Sequence, residues 1–244
     1  MRKLILSFLL AMLLASPVLA DDYYISDQGG THVGSCVDNT IYSPSTFNAY
    51  NLNYGGSAVI SVGSSAIGGA GRIIARFDLT TIPGDSEIIA AEIVLVATSI
   101  AGGGDTISLY RIATANNGWV EGVQDGVLAD DATDESCWNW KAYNEGAWAG
   151  SAGLSTAGTD HYNTKLATDQ AISTTGTKAF ALNDTGLAAM KAMLAGNSIE
   201  FIFKNLTTTT GNYITFASSE NGTVGNRPYL HITTAGAPAL IIRR

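Results

Sequence analysis

Charge is scarce in this chain. Asp, Glu, Lys and Arg make up 14% of its 244 residues, and the balance is acidic, with 21 Asp and Glu against 13 Lys and Arg. No basic patch with interleaved aromatics is present. A net charge of −8 repels nucleic acid and anionic lipid alike, so neither is an expected partner. Cysteine is rarer still, with only Cys36 and Cys137. Beside three scattered histidines (His32, His161, His231), two cysteines make a poor zinc site. The motifs of several enzyme classes are also missing. There is no Gly-x-Ser-x-Gly elbow, no His-Glu-x-x-His helix and no phosphate-binding loop. Carboxylates are numerous enough for a glycosidase pair, yet no spacing singles out two of them. The expectation is a protein that is not an enzyme. No apolar run is long enough to span a bilayer.

The chain begins with a targeting pattern. Arg2 and Lys3 give a positive start, residues 4–14 are apolar, Ser16 and Pro17 break the run, and Val18-Leu19-Ala20 places small residues at a cleavage position. Residues 1–20 are therefore expected to be a signal peptide, and the protein to be secreted, extracellular or at the cell surface. In such a compartment a disulfide between Cys36 and Cys137 is expected, closing a loop of about a hundred residues worth roughly 4 kcal/mol.

What the chain does have is strand pattern. Residues 71–97 read GRIIARFDLTTIPGDSEIIAAEIVLVA, two β-rich runs about Pro83-Gly84, a dipeptide suited to a tight reversal. Further strands are predicted over 21–26, 57–62, 106–112, 178–182, 198–204, 212–217 and 228–234. In 106–112, Ile107, Leu109 and Arg111 alternate with Ser108, Tyr110 and Ile112. One helix is predicted, capped by Asp184 or Thr185, with Leu187, Met190 and Leu194 as its apolar stripe and Gly196 at its end. Residues 28–54 read as a polar loop. The fold class is all-β: an antiparallel β-sandwich, a jelly roll, with one short α-helix, in a single domain over 21–235 followed by a tail over 236–244.

Residues 113–177 differ from the rest. They hold all four tryptophans and the acids Glu121, Asp125, Asp130, Asp131, Asp134 and Glu135. A long stretch without strand periodicity is expected to be functional, and it is read as a crown over one end of the sandwich. Trp119, Trp138, Trp140, Trp148 and Tyr143 are candidate carbohydrate-binding residues, because sugar C–H faces stack on aromatic rings. Trp138-Asn139-Trp140 is the stronger pair, since both rings fall on one face of a strand. Plugging the sandwich is the competing role, favoured for Trp119 and Trp148. Asp130, Asp131, Asp134 and Glu135 are candidate Ca²⁺ ligands, though without EF-hand spacing, and a solvated acidic loop is the plainer reading. Arg72, Arg76, Asp78 and Glu220 are read as a structural ion pair, with Arg72 or Arg76 meeting Glu220 across the sheet.

Four stretches resemble the DNRLRE domains of secreted bacterial proteins, a family related to carbohydrate-binding modules. They are NYGGSAVISVG (53–63), RIIARFDLTTIPGDSEIIAAEIVL (72–95), ALNDTGLAAMKAMLAGN (181–197) and ITFASSENGTVGNRPYLHIT (214–233). GWVEG (118–122), followed by Trp138 and Trp148, is similar to the family's tryptophan-rich middle. The first arginine motif departs, reading IIARFDL, and the cysteine pair and the acidic middle are not family features. The resemblance implies a non-catalytic jelly roll found in surface and adhesin-like proteins and beside polysaccharide-degrading enzymes. A carbohydrate-binding or adhesive role toward a polysaccharide or cell-surface glycan is the expectation. The alternative is self-assembly into an extracellular layer or filament, to which low charge, small residues and the apolar tail at 240–242 point.

Overall fold

The computed structural model describes residues 20–43, 51–64, 69–206 and 209–235. The expected signal segment (apart from Ala20) and the tail lie outside the described residues. Strands β1 (Asp21–Ile25), β2 (His32–Val33), β3 (Cys36–Tyr42), β4 (Leu52–Asn53), β5 (Val59–Ser64) and β6 (Ala70–Asp78) come first. The long β7 (Glu87–Ala101) and β8 (Asp105–Ile112) follow. The middle of the chain carries only short strands: β9 (Val127–Leu128), β10 (Trp140–Ala142), β11 (Gly146–Ala147) and β12 (His161–Lys165). The last part holds β13 (Gln170–Ile172), β14 (Gly176–Ala181), helix α1 (Asp184–Met193), β15 (Ser198–Asn205), β16 (Tyr213–Ala217) and β17 (Tyr229–Ala235).

Over the described residues the fold is an all-β sandwich with one short helix. In the first layer, β7 pairs on one edge with β14. Its other edge takes β17 along the first half and β16 along the second. β17 continues to β1, and β16 to β5. In the second layer the order is β3, β6, β15, β8, with β12 and β13 sharing the far edge of β8. The layers join where β5 meets β6, Gly63 opposite Gly71. Gly63 has φ +129°, and a Cβ there would lie 2.5 Å from the carbonyl oxygen of Asn212, so only glycine permits this corner.

Alternation decides which layer each side chain serves. Ile73, Ala75 and Phe77 of β6, Ile199, Phe201 and Phe203 of β15, and Ile107 and Leu109 of β8 face inward. They meet Ile93, Leu95, Phe180, Phe216, Leu230 and Ile232 from the first layer. The opposite register of the second layer is also buried. Ile41, Ile74, Ile112 and Ile202 pack under Trp119, Trp138, Trp148 and Leu154. Residues 113–160 therefore lie across the outer face of the second sheet and make a third layer, rather than crowning one end. This explains why β6 and β15 lack a clean apolar–polar alternation: both of their faces are covered.

Helix α1 packs Met190, with Leu194 just beyond it, against the inter-sheet core. Its cap is Asn183, one residue before the predicted position, whose side chain accepts from the Gly186 amide at 3.0 Å. Strand β3 was expected to be loop, because its interior reads Asp38-Asn39-Thr40. All three are buried and bonded. Asp38 accepts from the Ser219 amide, Asn39 donates to Ser136 and accepts from the Tyr54 amide, and Thr40 accepts from the Ser61 amide. These polar side chains stitch the edge of the second sheet to three other segments.

Candidate functional site

The tryptophans do not form an exposed platform. Trp119, Trp138 and Trp148 are buried, and Trp119 is fully so. Trp148 donates its indole N–H to the carbonyls of Cys137 and Trp138. Trp138 lies under the Arg72 guanidinium at 4.8 Å. The Trp138-Asn139-Trp140 spacing does not put both rings on one free face, since Trp138 turns into the outer layer before β10 begins at Trp140. Trp140 and Tyr143 stay half-buried. Three of the five expected stacking residues therefore hold the layer together.

The cysteines do not pair. Both are free and buried. Cys36 lies in the inter-sheet core, whereas Cys137 lies in the outer layer with its thiol 3.9 Å from Asn51 Oδ1. The expected disulfide fails because the two side chains serve different layers. Burial pushes the Cys36 thiol well above its ordinary range and Cys137 up to about 11, so neither is poised to react.

The acidic run is used for loop construction. Both carboxylate oxygens of Glu135 accept backbone amides, from Val123 at 2.8 Å and from Asp130 at 2.8 Å. Asp130 Oδ1 caps a 3-10 turn through the Ala132 amide. Asp134 has φ 54°. The side chain of Asp131 lies outside the described residues. Among the described residues no group of three or more His, Cys, Asp or Glu side chains is arranged to hold a metal. Backbone amides thus occupy both oxygens of Glu135 and one of Asp130. Asp160 does the same work farther on, accepting from the amides of Gly150, Ser151 and Thr156.

The expected ion pair also has different partners. Arg72 donates to Gly153 O and Ser155 Oγ, and Glu220 is exposed in the turn before β17. Arg76 instead meets Glu200, its Cα partner on β15, at 3.8 Å. Arg76 also donates to the Trp119 carbonyl at 2.9 Å, and its guanidinium lies 5.2 Å from the centre of that indole ring. The missed signal was Glu200, the one acid within the apolar run of β15, placed as Arg76 is placed in β6.

Around this pair is a cleft of about 410 Å³. Val37 of β3, Arg76 and Asp78 of β6, Glu200 of β15, and Asn117, Gly118 and Asn197 line it. Burial raises the Glu200 carboxyl, while the Gly118 amide at 3.1 Å and Arg76 oppose that rise. The Arg76 side chain keeps 29% of its surface open. Asn117 Oδ1 is buried without a hydrogen-bond partner. Asp78 uses one oxygen to accept from the Thr80 amide at 2.8 Å. The arrangement offers a fixed guanidinium among several acceptors, and it contains neither a free thiol nor a histidine for nucleophilic or general-base chemistry.

No protein-family model matches the chain, and no curated protein matches it. Other polar centres lie elsewhere in the fold. Asp38 and Glu121 meet at the edge of β3, where Glu121 Oε1 accepts from the Asp38 amide at 2.6 Å and from the Ser219 hydroxyl at 3.0 Å. Burial drives the Asp38 carboxyl up to about 7 and Glu121 up to about 8. On the outer face of β15, Lys204 donates to His161 Nε2 at 3.0 Å, and burial with the nearby Arg72 lowers this amine to about 8. On the outer face of the first sheet, Tyr24 and His231 stack with ring centres 4.5 Å apart, and His231 bridges Asp22 and Glu92.

Proposed function

We propose that this protein is an exported, non-catalytic β-sandwich module that binds carbohydrate. The observation that carries the reading is the Arg76 cleft. It is concave, bordered by β3, β6 and β15 of the second sheet, and lined by the polar residues Arg76, Asp78, Asn117, Asn197 and Glu200. Saccharides are recognised by such convergent donors and acceptors. The targeting pattern at residues 1–20 supports export, and the DNRLRE-like motifs support a family of surface and glycan-associated modules. Among the described residues no helix is long and apolar enough to cross a membrane. Affinity electrophoresis through gels cast with soluble polysaccharides tests the reading. Retardation without release of reducing ends is expected. Free migration in every gel, or turnover of any polysaccharide, would overturn it.

A further inference from the structure

We infer that Asn221 is a self-modification site, where the chain converts its own Asn-Gly turn to isoaspartate without an enzyme. The inference stands apart from the carbohydrate-binding reading and from the Arg76 cleft. Asparagine followed by glycine occurs twice in the sequence, at Asn117-Gly118 and at Asn221-Gly222. In such a pair the following amide nitrogen can reach the side-chain carbonyl carbon, because glycine has no Cβ to obstruct it. The Gly222 nitrogen forms a bond to Asn221 Cγ, and the Cγ–Nδ2 bond breaks. Ammonia leaves with the amide proton, and a cyclic succinimide remains. Water then opens that ring.

The structure separates the two pairs. The Gly118 N–H donates to Glu200 Oε1 at 3.1 Å. The attacking form of that amide is an anion, and a carboxylate beside it disfavours a second negative charge. Asn117 Oδ1 is enclosed, with no hydrogen-bond donor to polarise its carbonyl. At Asn221 both conditions are reversed. Among the described residues no hydrogen bond holds the Gly222 amide. Gly222 is exposed, and a Cβ built there would meet nothing within 4 Å, so the backbone has room to turn onto the side chain. The Thr223 amide donates to Asn221 Oδ1 at 3.0 Å, which draws electron density from Cγ and makes it a better target. The bond from Asn221 Nδ2 to the Ala58 carbonyl, 2.9 Å, is the one contact that the departing ammonia gives up.

Arg227 selects the product. Its Nε donates to the main-chain carbonyl of Asn221 at 2.9 Å. Opening of the ring at that carbonyl leaves a carboxylate there and routes the main chain through Cγ, which is isoaspartate. The new carboxylate then faces a guanidinium already in place, and hydrogen bonds between charged groups are the strong ones. The Asp27 carboxylate is near, yet Asp27 meets the guanidinium through its main-chain carbonyl, at 3.4 Å. Opening at Cγ instead leaves aspartate, whose carboxylate would lie against the Ala58 carbonyl, two acceptors with no proton between them. In the isoaspartate form the main chain lengthens by a methylene between β16 and β17. Ala58, just before β5, loses the Asn221 donor.

The test incubates the intact folded chain in neutral buffer, digests it in acid and maps it by electron-transfer mass spectrometry, which separates isoaspartate from aspartate. Near-ultraviolet circular dichroism verifies folding, and the same chain in urea is the reference. In urea the two Asn-Gly pairs are expected to convert at similar rates. In the fold, Asn221 is expected to convert at least about tenfold faster than Asn117, the scale of the one hydrogen bond that Gly118 must first break. The isoaspartate share at Asn221 is expected to be higher in the fold than in urea. Arg227→Gln is expected to return that share to the urea value while conversion continues, and Gly222→Ala to suppress conversion. Equal rates at Asn117 and Asn221 in the fold, or an Asn221 that converts only in urea, would overturn the site. A wild-type isoaspartate share no higher in the fold than in urea, or a share that Arg227→Gln leaves unchanged, would overturn the role of Arg227.

Discussion

Asp38 makes the fold weaker as the medium becomes more alkaline. It is fully buried at the edge of the second sheet, its Oδ1 has no partner, and the charges that act on it, Glu220 and Asp27, are also negative. In the fold it titrates at about 7, against an ordinary 3.8. Between those values the folded chain holds a proton that the unfolded chain has released, so raising the pH favours unfolding. The contribution is fully present below pH 4, is lost as pH rises to about 7, and is constant above. Three pH intervals at about 1.36 kcal/mol each set an upper limit of ~4 kcal/mol. Glu121, raised to about 8, acts in the same direction but shares its repulsion with Asp38, so the two do not simply add. Burial lowers His32 and His161, which acts oppositely as the medium is acidified. Comparison with Asp38→Asn cancels the histidines. An asparagine can accept from the Ser219 amide as the aspartate does, and it carries no charge to bury. Urea unfolding followed by tryptophan fluorescence from pH 4.5 to 8.5 is the assay. The variant is expected to gain on the wild type by a few kcal/mol across that range and to be the more stable at pH 8.5. Parallel stability curves for the two proteins would refute the reasoning.

The other predictions concern packing and thiols. Trp119→Ala is expected to cost about 3–5 kcal/mol in urea unfolding, because the fully buried indole is the floor of the outer layer, whereas Trp140→Ala at a half-buried position is expected to cost about 1 kcal/mol. Equal losses in the two would argue against the three-layer arrangement. Gly153→Ala is expected to lower the melting temperature by several degrees, since its φ is +70° and a Cβ would lie 2.4 Å from the Trp138 ring. An unchanged melting temperature would mean that Trp138 is not held there. Ellman's reagent is expected to find both thiols only after unfolding without reductant; a denatured protein with no reactive thiol would restore the disulfide.

The strands marked by period-2 alternation were legible. β8, β16 and β17 fall within a residue or two of their predicted bounds. Strand β3 was not, because its buried Asp38, Asn39 and Thr40 look like loop residues until their distant partners are known. The outer layer was only half legible. Its tryptophans stand out in the sequence, but whether such rings face solvent or an isoleucine sheet depends on contacts such as Trp119 with Ile74 and Ile202, which no local pattern encodes. The disulfide failed because composition says which groups exist, and only the layer assignment says which can meet. The cleft lay within reach through the matched placement of Arg76 and Glu200 in β6 and β15, but the register that joins them is long-range.

The antiparallel pairing of β1 with β17 places Asp21 opposite Thr234. Whatever is attached at these two points leaves the body side by side. Tension applied there would act across the ladder rather than along it, breaking the rungs one after another like a zipper, at low force. A module joined to its surroundings in this way would open from its terminal strands while the tryptophan-covered sheet stayed closed.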